Sequence, residues 1–447
     1  MFQLYIEYGS VHLDFQDAGC VVRDGFYPEI AADTDKSISE RFDLIILGAT
    51  STALETWTRN INLALEHARR NRTGGDPCWL YYSPNSSDAA WRARVLDGQL
   101  FLDAGLSRRW KDHKLILGVS IEREPYWDGP EAQLALTNAN GTDSLDALPV
   151  YNCNDGSGTS PNKRQNYADV AASDIAGDLP AACRLELTNT YASLQLQAVW
   201  VGLNYTDPDN FTHTLEAESA VGETGADDTS MSGGKYISKA LLQDTETQLL
   251  KWTLSAANLS AAGGRWFHFL MRYEGNVFVS EKYRLKLLHD TVELWKTGQV
   301  CPQDDHGWRI RDLFSLRLPP WLVGLGNLAG LNLVLTGEQN IQESQTYWYD
   351  FAMLIPADGF RCYDISYPTI PINGRLVDDG FLGLVYQDNG AGLARVGAGS
   401  VSGSPLLLYP GRKHRLYFLM HANQSHTAEV DRTLGVKLYY RPRRRAL

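Results

Sequence analysis

The sequence predicts a mainly β protein: an N-terminal β-sandwich carrying one helix, a central sandwich or jelly roll, and a smaller C-terminal β unit. Three observations lead there. Only one segment of the 447 residues repeats its apolar positions at helical spacing. Short runs rich in β-branched and aromatic residues recur along the rest of the chain, separated by Gly, Pro, Asn and Asp. The 12 Trp, 22 Tyr and 14 Phe are far more rings than an unfolded, charge-dominated chain carries, so they must bury or bind something.

In chain order, Arg41 to Leu47 (RFDLIIL) is the first clear strand. The helix follows over residues 52–70, with Trp57, Ile61, Ala64, Leu65 and Ala68 on one face. Thr52 and Glu55 stand at capping-box spacing, Arg69-Arg70 suits the negative end of the helix dipole, and Gly74-Gly75 ends the segment. Cys78–Tyr82, Val95–Phe101 and Leu115–Ile121 complete a first unit over residues 1–130. Residues 131–180 hold few apolar side chains between Asn138 and Asn166 and read as linker and loop. Strand candidates then crowd into residues 181–357, among them Arg184–Leu187, Leu196–Leu203, Trp266–Tyr273 and Trp348–Ile355, as a sandwich or jelly roll requires. Pro356-Ala357-Asp358-Gly359 punctuates its end. Residues 358–447 carry Leu382–Tyr386, Leu416–Met420 and Leu434–Tyr440, either a third β unit or strands that pair with the first.

Composition excludes several function classes. A net charge of −12 speaks against a general nucleic-acid binder, because counterion release needs clustered basic side chains. The one basic run, Arg441-Pro442-Arg443-Arg444-Arg445, reads as a solvated terminus. No apolar run approaches the roughly 20 residues that span a bilayer, so no membrane insertion is expected. The N-terminus lacks the basic and apolar regions of a secretory leader, which points to a product kept in the cytoplasm that makes it. The glycosylation sequons at Asn71, Asn85, Asn140, Asn204, Asn210, Asn258 and Asn423 carry no weight without that leader. Cys20, Cys78, Cys153, Cys183, Cys301 and Cys362 show no Cys-x-x-Cys spacing and read as buried thiols, with a Cys153–Cys183 disulfide as the alternative.

Catalytic patterns fail as well. The ten His include no His-x-x-x-His, and no Gly-x-Ser-x-Gly elbow, Walker loop or dinucleotide fingerprint stands in a strand-turn-helix context. Ser157-Gly158 and Gly397–Gly403 are Gly-rich but introduce no helix. The expectation is therefore a protein without enzymatic activity, although paired carboxylates for glycoside cleavage have no sequence spacing that would reveal them.

More informative is Leu215-Glu216-Ala217-Glu218, followed by Ser232-Gly233-Gly234-Lys235-Tyr236, Gly264-Arg265-Trp266-Phe267, Arg272-Tyr273 and Trp348-Tyr349-Asp350. This succession resembles the calcium-containing carbohydrate-binding modules with a jelly-roll fold. The resemblance implies a structural calcium held by Glu216, Glu218 and Asp350, whose hard oxygen ligands suit that ion. It assigns no sugar-binding residue, so the ligand-binding site is unknown.

A second resemblance lies in the N-terminal unit. The order RFDLIIL, the helix through Leu63 to Arg69, Cys78-Trp79-Leu80-Tyr81-Tyr82, Trp91 to Gly98, then Leu115 to Glu122 and Arg123-Glu124-Pro125-Tyr126-Trp127 is similar to tail proteins of long-tailed bacteriophages and prophages, distal tail proteins included. What this resemblance implies is a tail-tube-like β-sandwich that builds a homo-oligomeric ring, a hexamer in that group. It further implies contact with tail-tube and tail-tip proteins, a jelly roll facing host-surface glycans, and a place in the virion tail after assembly in the host cytoplasm. The rival reading is a free carbohydrate-binding, lectin-like protein without catalysis; a third is a glycan-cleaving enzyme. The two resemblances leave these open.

Overall fold

The computed structural model describes residues 2–17, 19–30, 33, 35–48, 50–73, 75–102, 114–139, 141–142, 147–154, 164–191, 195–275, 281–302, 307–324, 331–340, 345–365, 369–388, 392–421 and 432–447. The Ser157-Gly158 stretch, the sequon residues Asn140 and Asn423 and parts of the expected 131–180 loop lie outside the described residues. The protein is mainly β, built from antiparallel sheets. Its chain divides into two compact units, one of residues 1–132, 176–181 and 440–447, the other of residues 133–175 and 182–439.

Among the described residues the first unit is one nine-stranded sheet plus one helix. Its strands are β1 (Gln3–Tyr8), β2 (Val11–Asp14), β3 (Cys20–Val22), β4 (Ile38–Leu47), β5 (Cys78–Ser83), β6 (Trp91–Leu102), β7 (Lys114–Arg123) and β8 (Trp127–Asp128), with α1 (Ser51–Arg70) between β4 and β5. The spatial order is β2-β1-β5-β6-β7-β4-β3. β4 shows why the sequence folds this way: Ile38, Glu40, Phe42, Leu44 and Ile46 alternate inward with a period of two. It pairs with β7 over its whole length, from Ile38↔Arg123 to Leu47↔Lys114. The ninth strand is Arg443–Arg444, paired with β8. Of the basic run expected as a solvated terminus, Arg441 and Arg443 are built in, because they have acidic and aromatic partners, while the Arg444 and Arg445 side chains are exposed. Arg443 Nε donates to Asp128 at 2.7 Å, its guanidinium lies 3.6 Å from the Tyr126 ring centre, and Arg441 reaches Glu131 at 2.9 Å.

α1 is capped two residues earlier than the capping-box spacing suggests. Thr50 is the N-cap, its Oγ1 accepting from the Ala53 N–H at 3.3 Å, while the Thr52 carbonyl accepts from Thr56 Oγ1 inside the helix. Asn71 closes the other end by donating twice to the His67 carbonyl. Leu54, Ile61, Ala64, Leu65 and Ala68 enter the core; Trp57 is only partly buried against it. The close approach needs a glycine, since a Cβ on Gly98 would stand 2.6 Å from Leu65 Cδ2 and 2.8 Å from the Ser120 carbonyl. Ile61→Ala is therefore expected to cost about 2 to 5 kcal/mol. An unchanged urea midpoint in that variant would take the helix off the core.

Among the described residues the second unit has four sheets. Two of them draw strands from both sides of a central segment. Leu148–Tyr151 pairs with Thr433–Tyr440, Ala181–Asn189 with Arg375–Asp379, and His414–His421 lies between Tyr167–Val170 and Ala198–Asn204. The central segment forms the other two sheets. One contains Lys235–Leu241, Gln345–Pro356, Trp266–Gly275 and Gly307–Arg317, with Thr214–Glu216 on Gln345–Pro356. The other contains Thr247–Thr253, Leu331–Glu338, Lys282–His289 and Val292–Lys296. Side chains of both, such as Phe269, Tyr349, Tyr283 and Leu333, share one core. The first and last central strands are neighbours, Thr214 opposite Met353, so the segment is an insertion that leaves where it came in.

These pairings redraw the expected boundaries. Residues 131–180, expected as linker and loop, contribute Ala132–Leu134, Thr137–Asn138, Gly141–Thr142, Leu148–Tyr151 and Tyr167–Val170. Residues 181–204 and 358–439 belong to the same pair of flanking sheets rather than to separate jelly-roll and C-terminal units. The reason is non-local: short, half-polar strands find partners on the far side of the insertion. Nor is the insertion a pendant module, for Trp200, Tyr417 and Leu419 of the flanking sheets, and Phe360 just before the strand Arg361–Asp364, sit in its core. A Cβ on Gly202 would lie 2.2 Å from Ile355 Cγ2. No disulfide joins Cys153 and Cys183, which are both buried thiols, and of the residues expected as buried thiols Cys301 is exposed. Among the described residues no helix is long and apolar enough to cross a membrane.

Candidate functional site

The three carboxylates singled out in the sequence do come together. Glu216 ends the strand Thr214–Glu216, Glu218 sits in the one-turn helix Ala217–Ser219, and Asp350 lies within Gln345–Pro356. All three converge on the turn Ser232–Gly234. Ser232 Oγ donates to Glu216 Oε1 at 2.9 Å, and the Ser232 N–H donates to Asp350 Oδ1 at 2.8 Å. A Cβ on Gly233 would lie 2.1 Å from Glu218 Oε1, and its φ of 62° is left-handed, so glycine is required there twice over. Trp252 Nε1 holds the Glu216 carbonyl at 2.9 Å.

The second oxygen of Asp350 is taken by Arg272 Nη1, and both side chains are fully buried. The guanidinium is walled by Trp308, whose ring centre is 5.0 Å away, and by Met231 Sδ at 3.6 Å. Burial pushes the Asp350 carboxyl upward, while Arg272 and the Ser232 N–H pull the other way. Burial also raises Glu218, against its own backbone N–H and Lys235.

As arranged, these residues do not fit the calcium ion that the resemblance implies. Both oxygens of Asp350 are engaged, and a second cation would stand against the guanidinium. Among the described residues no group of three or more His, Cys, Asp or Glu is placed to hold a metal. Arg272 and Ser232 stood in the quoted motifs without a role. The available signal was a charged residue within the apolar run Phe267 to Tyr273, a position that a guanidinium occupies only when paired.

Two further surfaces bear on function. Among the described residues of the first unit, β2 and β3 are the two ends of the main strand path, each paired on one side only. Val21 on β3 and the nearby Tyr27, Ile30 and Leu47 are exposed. The loop that carries Tyr27 is fixed from below. Arg123 donates to Glu40 at 2.8 Å and to the Glu29 carbonyl at 2.9 Å, and Glu40 accepts from the Glu29 N–H at 3.0 Å. In the central sandwich Trp266 and Trp321 are about half exposed.

No protein-family model and no curated protein sequence matches the chain. Among solved structures it is similar to a protein of the phage P2 baseplate in its activated conformation with Ca, at 9% identity and a TM-score of 0.25, over 78% of this chain and 98% of that one. Another is the Dit protein of SPP1, described as a paradigm of the hub adsorption apparatus in phages infecting Gram-positive hosts. There the identity is 13% and the TM-score 0.19, over 78% of this chain and 98% of that one. A third is the VP2 subviral particle of infectious bursal disease virus, at 8% identity and a TM-score of 0.19, covering 70% and 80%. Superpositions this loose assign the chain to no family, and its function has to be argued from its own residues.

Proposed function

We propose that the chain is a structural, non-catalytic subunit of a phage tail, placed at the distal end and assembled into a ring through its first unit. The observation that carries this reading is the pair of unlike open edges, β2 and β3, at the two ends of the main strand path, from which β8 and Arg443–Arg444 branch at β6. An open edge exposes unpaired backbone groups, and when the two edges differ a repeated contact is heterologous, closing into a ring or running on as a filament. Exposed Val21, Tyr27 and Ile30 supply apolar area beside one of those edges. The tail itself, assembly in the host cytoplasm, tail-tube and tail-tip partners and sixfold symmetry come from the sequence resemblance of the helix-bearing unit. The half-exposed Trp266 and Trp321 support contact with host-surface glycans, since an indole face stacks well on a sugar ring.

Light scattering on the full chain at high micromolar concentration, with negative-stain imaging of the same sample, tests the assembly. Closed rings are expected, and Val21→Lys should reduce them by placing charge on the β3 edge. A strictly monomeric chain that purified virions also lack would favour the free lectin-like protein.

A further inference from the structure

We propose that Arg272 is the resident cation of the central sandwich: its guanidinium, rather than a metal ion, neutralises the carboxylates around the Ser232–Gly234 turn and locks strand Trp266–Gly275 to strand Gln345–Pro356. This is independent of the assembly reading. The geometry begins in the register. Arg272 lies opposite Phe351 and Tyr273 opposite Tyr349, so Asp350 is the extra residue of a bulge. A bulge re-aims a side chain, and here it delivers Asp350 to Arg272 beneath the turn. The turn then binds Asp350 through the Ser232 N–H and Glu216 through Ser232 Oγ, with Glu218 pressed against Gly233. Asp350 is fully buried and Glu216 and Glu218 are half-buried, and three acidic groups gathered on one turn need a positive charge among them. Calcium would supply it with six to eight oxygen ligands, whereas a guanidinium supplies it with a planar fork and tolerates the apolar wall of Trp308 and Met231.

Calorimetry of the full chain, in chelator and in millimolar calcium, tests the assignment. The unaltered protein is expected to melt at the same temperature in both. Arg272→Leu should lower the melting temperature by roughly 6 to 20 °C in chelator, and calcium should restore part of that loss, because the uncompensated carboxylates then recruit a hard cation. A calcium-dependent rise in the unaltered protein overturns the proposal. So does an Arg272→Leu protein that melts like the parent, or one whose loss calcium leaves unchanged. Should Arg272→Leu not fold, Arg272→Lys carries the test. It keeps a cation in place and should fold in chelator with no response to calcium, and a calcium-stabilised Arg272→Lys protein rejects the assignment.

Discussion

Acidification from about pH 7 to about pH 5 is expected to destabilise the second unit by about 4 kcal/mol through two buried histidines. His213, at the start of the insertion, places Nε2 3.0 Å from Asn166 Oδ1 and stacks on Tyr417 at 4.1 Å. Burial, and then the Arg415 charge, push it down to about 3. His414 accepts the Tyr409 N–H at Nε2 (3.0 Å), so its proton sits on Nδ1, 2.9 Å from the Arg412 carbonyl. Burial pushes it down to about 4, with that carbonyl pulling weakly the other way. Both rings are held neutral in the fold but charge in the unfolded chain near pH 6.5. Their stabilisation is therefore complete above that value and is lost as pH falls toward 4 and 3. Each contributes about 2 kcal/mol of the loss by pH 5. Urea midpoints of His213→Gln should fall about half as steeply over this range; the full parental slope in that variant would clear His213 of the effect.

Asp378→Ala is expected to cost about 3 to 5 kcal/mol. Asp378 is buried on the strand Arg375–Asp379 of one flanking sheet. It accepts Arg361 Nε at 2.7 Å, Arg361 Nη2 at 3.2 Å and the Tyr363 hydroxyl at 2.6 Å. Both donors stand on the strand Arg361–Asp364 of the other flanking sheet, so one carboxylate ties the two sheets across their core. Removing it leaves a guanidinium and a phenol buried without their acceptor, which is dearer than the pair was ever worth. Asp378→Asn keeps one acceptor oxygen and should lose less. Equal guanidinium midpoints for the parent and Asp378→Ala would show that the sheets are held by packing alone.

What the sequence made legible was local. The helix could be read because Ile61, Ala64, Leu65 and Ala68 recur on one face, and Trp266–Gly275 or Thr433–Tyr440 because apolar residues crowd into a short run bounded by turns. Pairing could not be read. Leu148–Tyr151 is four residues with an exposed Pro149, and nothing near it in sequence announces Thr433–Tyr440 as its partner. The candidate site divides the same way. Glu216, Glu218 and Asp350 stood out as acidic residues in a family-like order, and the fold does gather them. The bulge that brings Arg272 onto Asp350 is a matter of register, which residue types do not encode. Arg441 and Arg443 were misread because charge alone says exposure, whereas Asp128, Tyr126 and Glu131 offer them partners.

The dependence of β8 on Arg443–Arg444 sets a timetable for synthesis. A ribosome releases β1 to β8 well before the strand that borders β8, which lies 315 residues further along the chain. The sheets flanking the insertion wait too, since Tyr167–Val170 and Ala198–Asn204 both need His414–His421. The insertion, whose first and last strands are neighbours, has its own strands in hand before His414–His421 is made. Nascent chains should therefore carry exposed strand edges until residues 414–444 are made, which makes chaperone occupancy and loss of that segment, rather than point substitution, the conditions under which this protein is most at risk of aggregation.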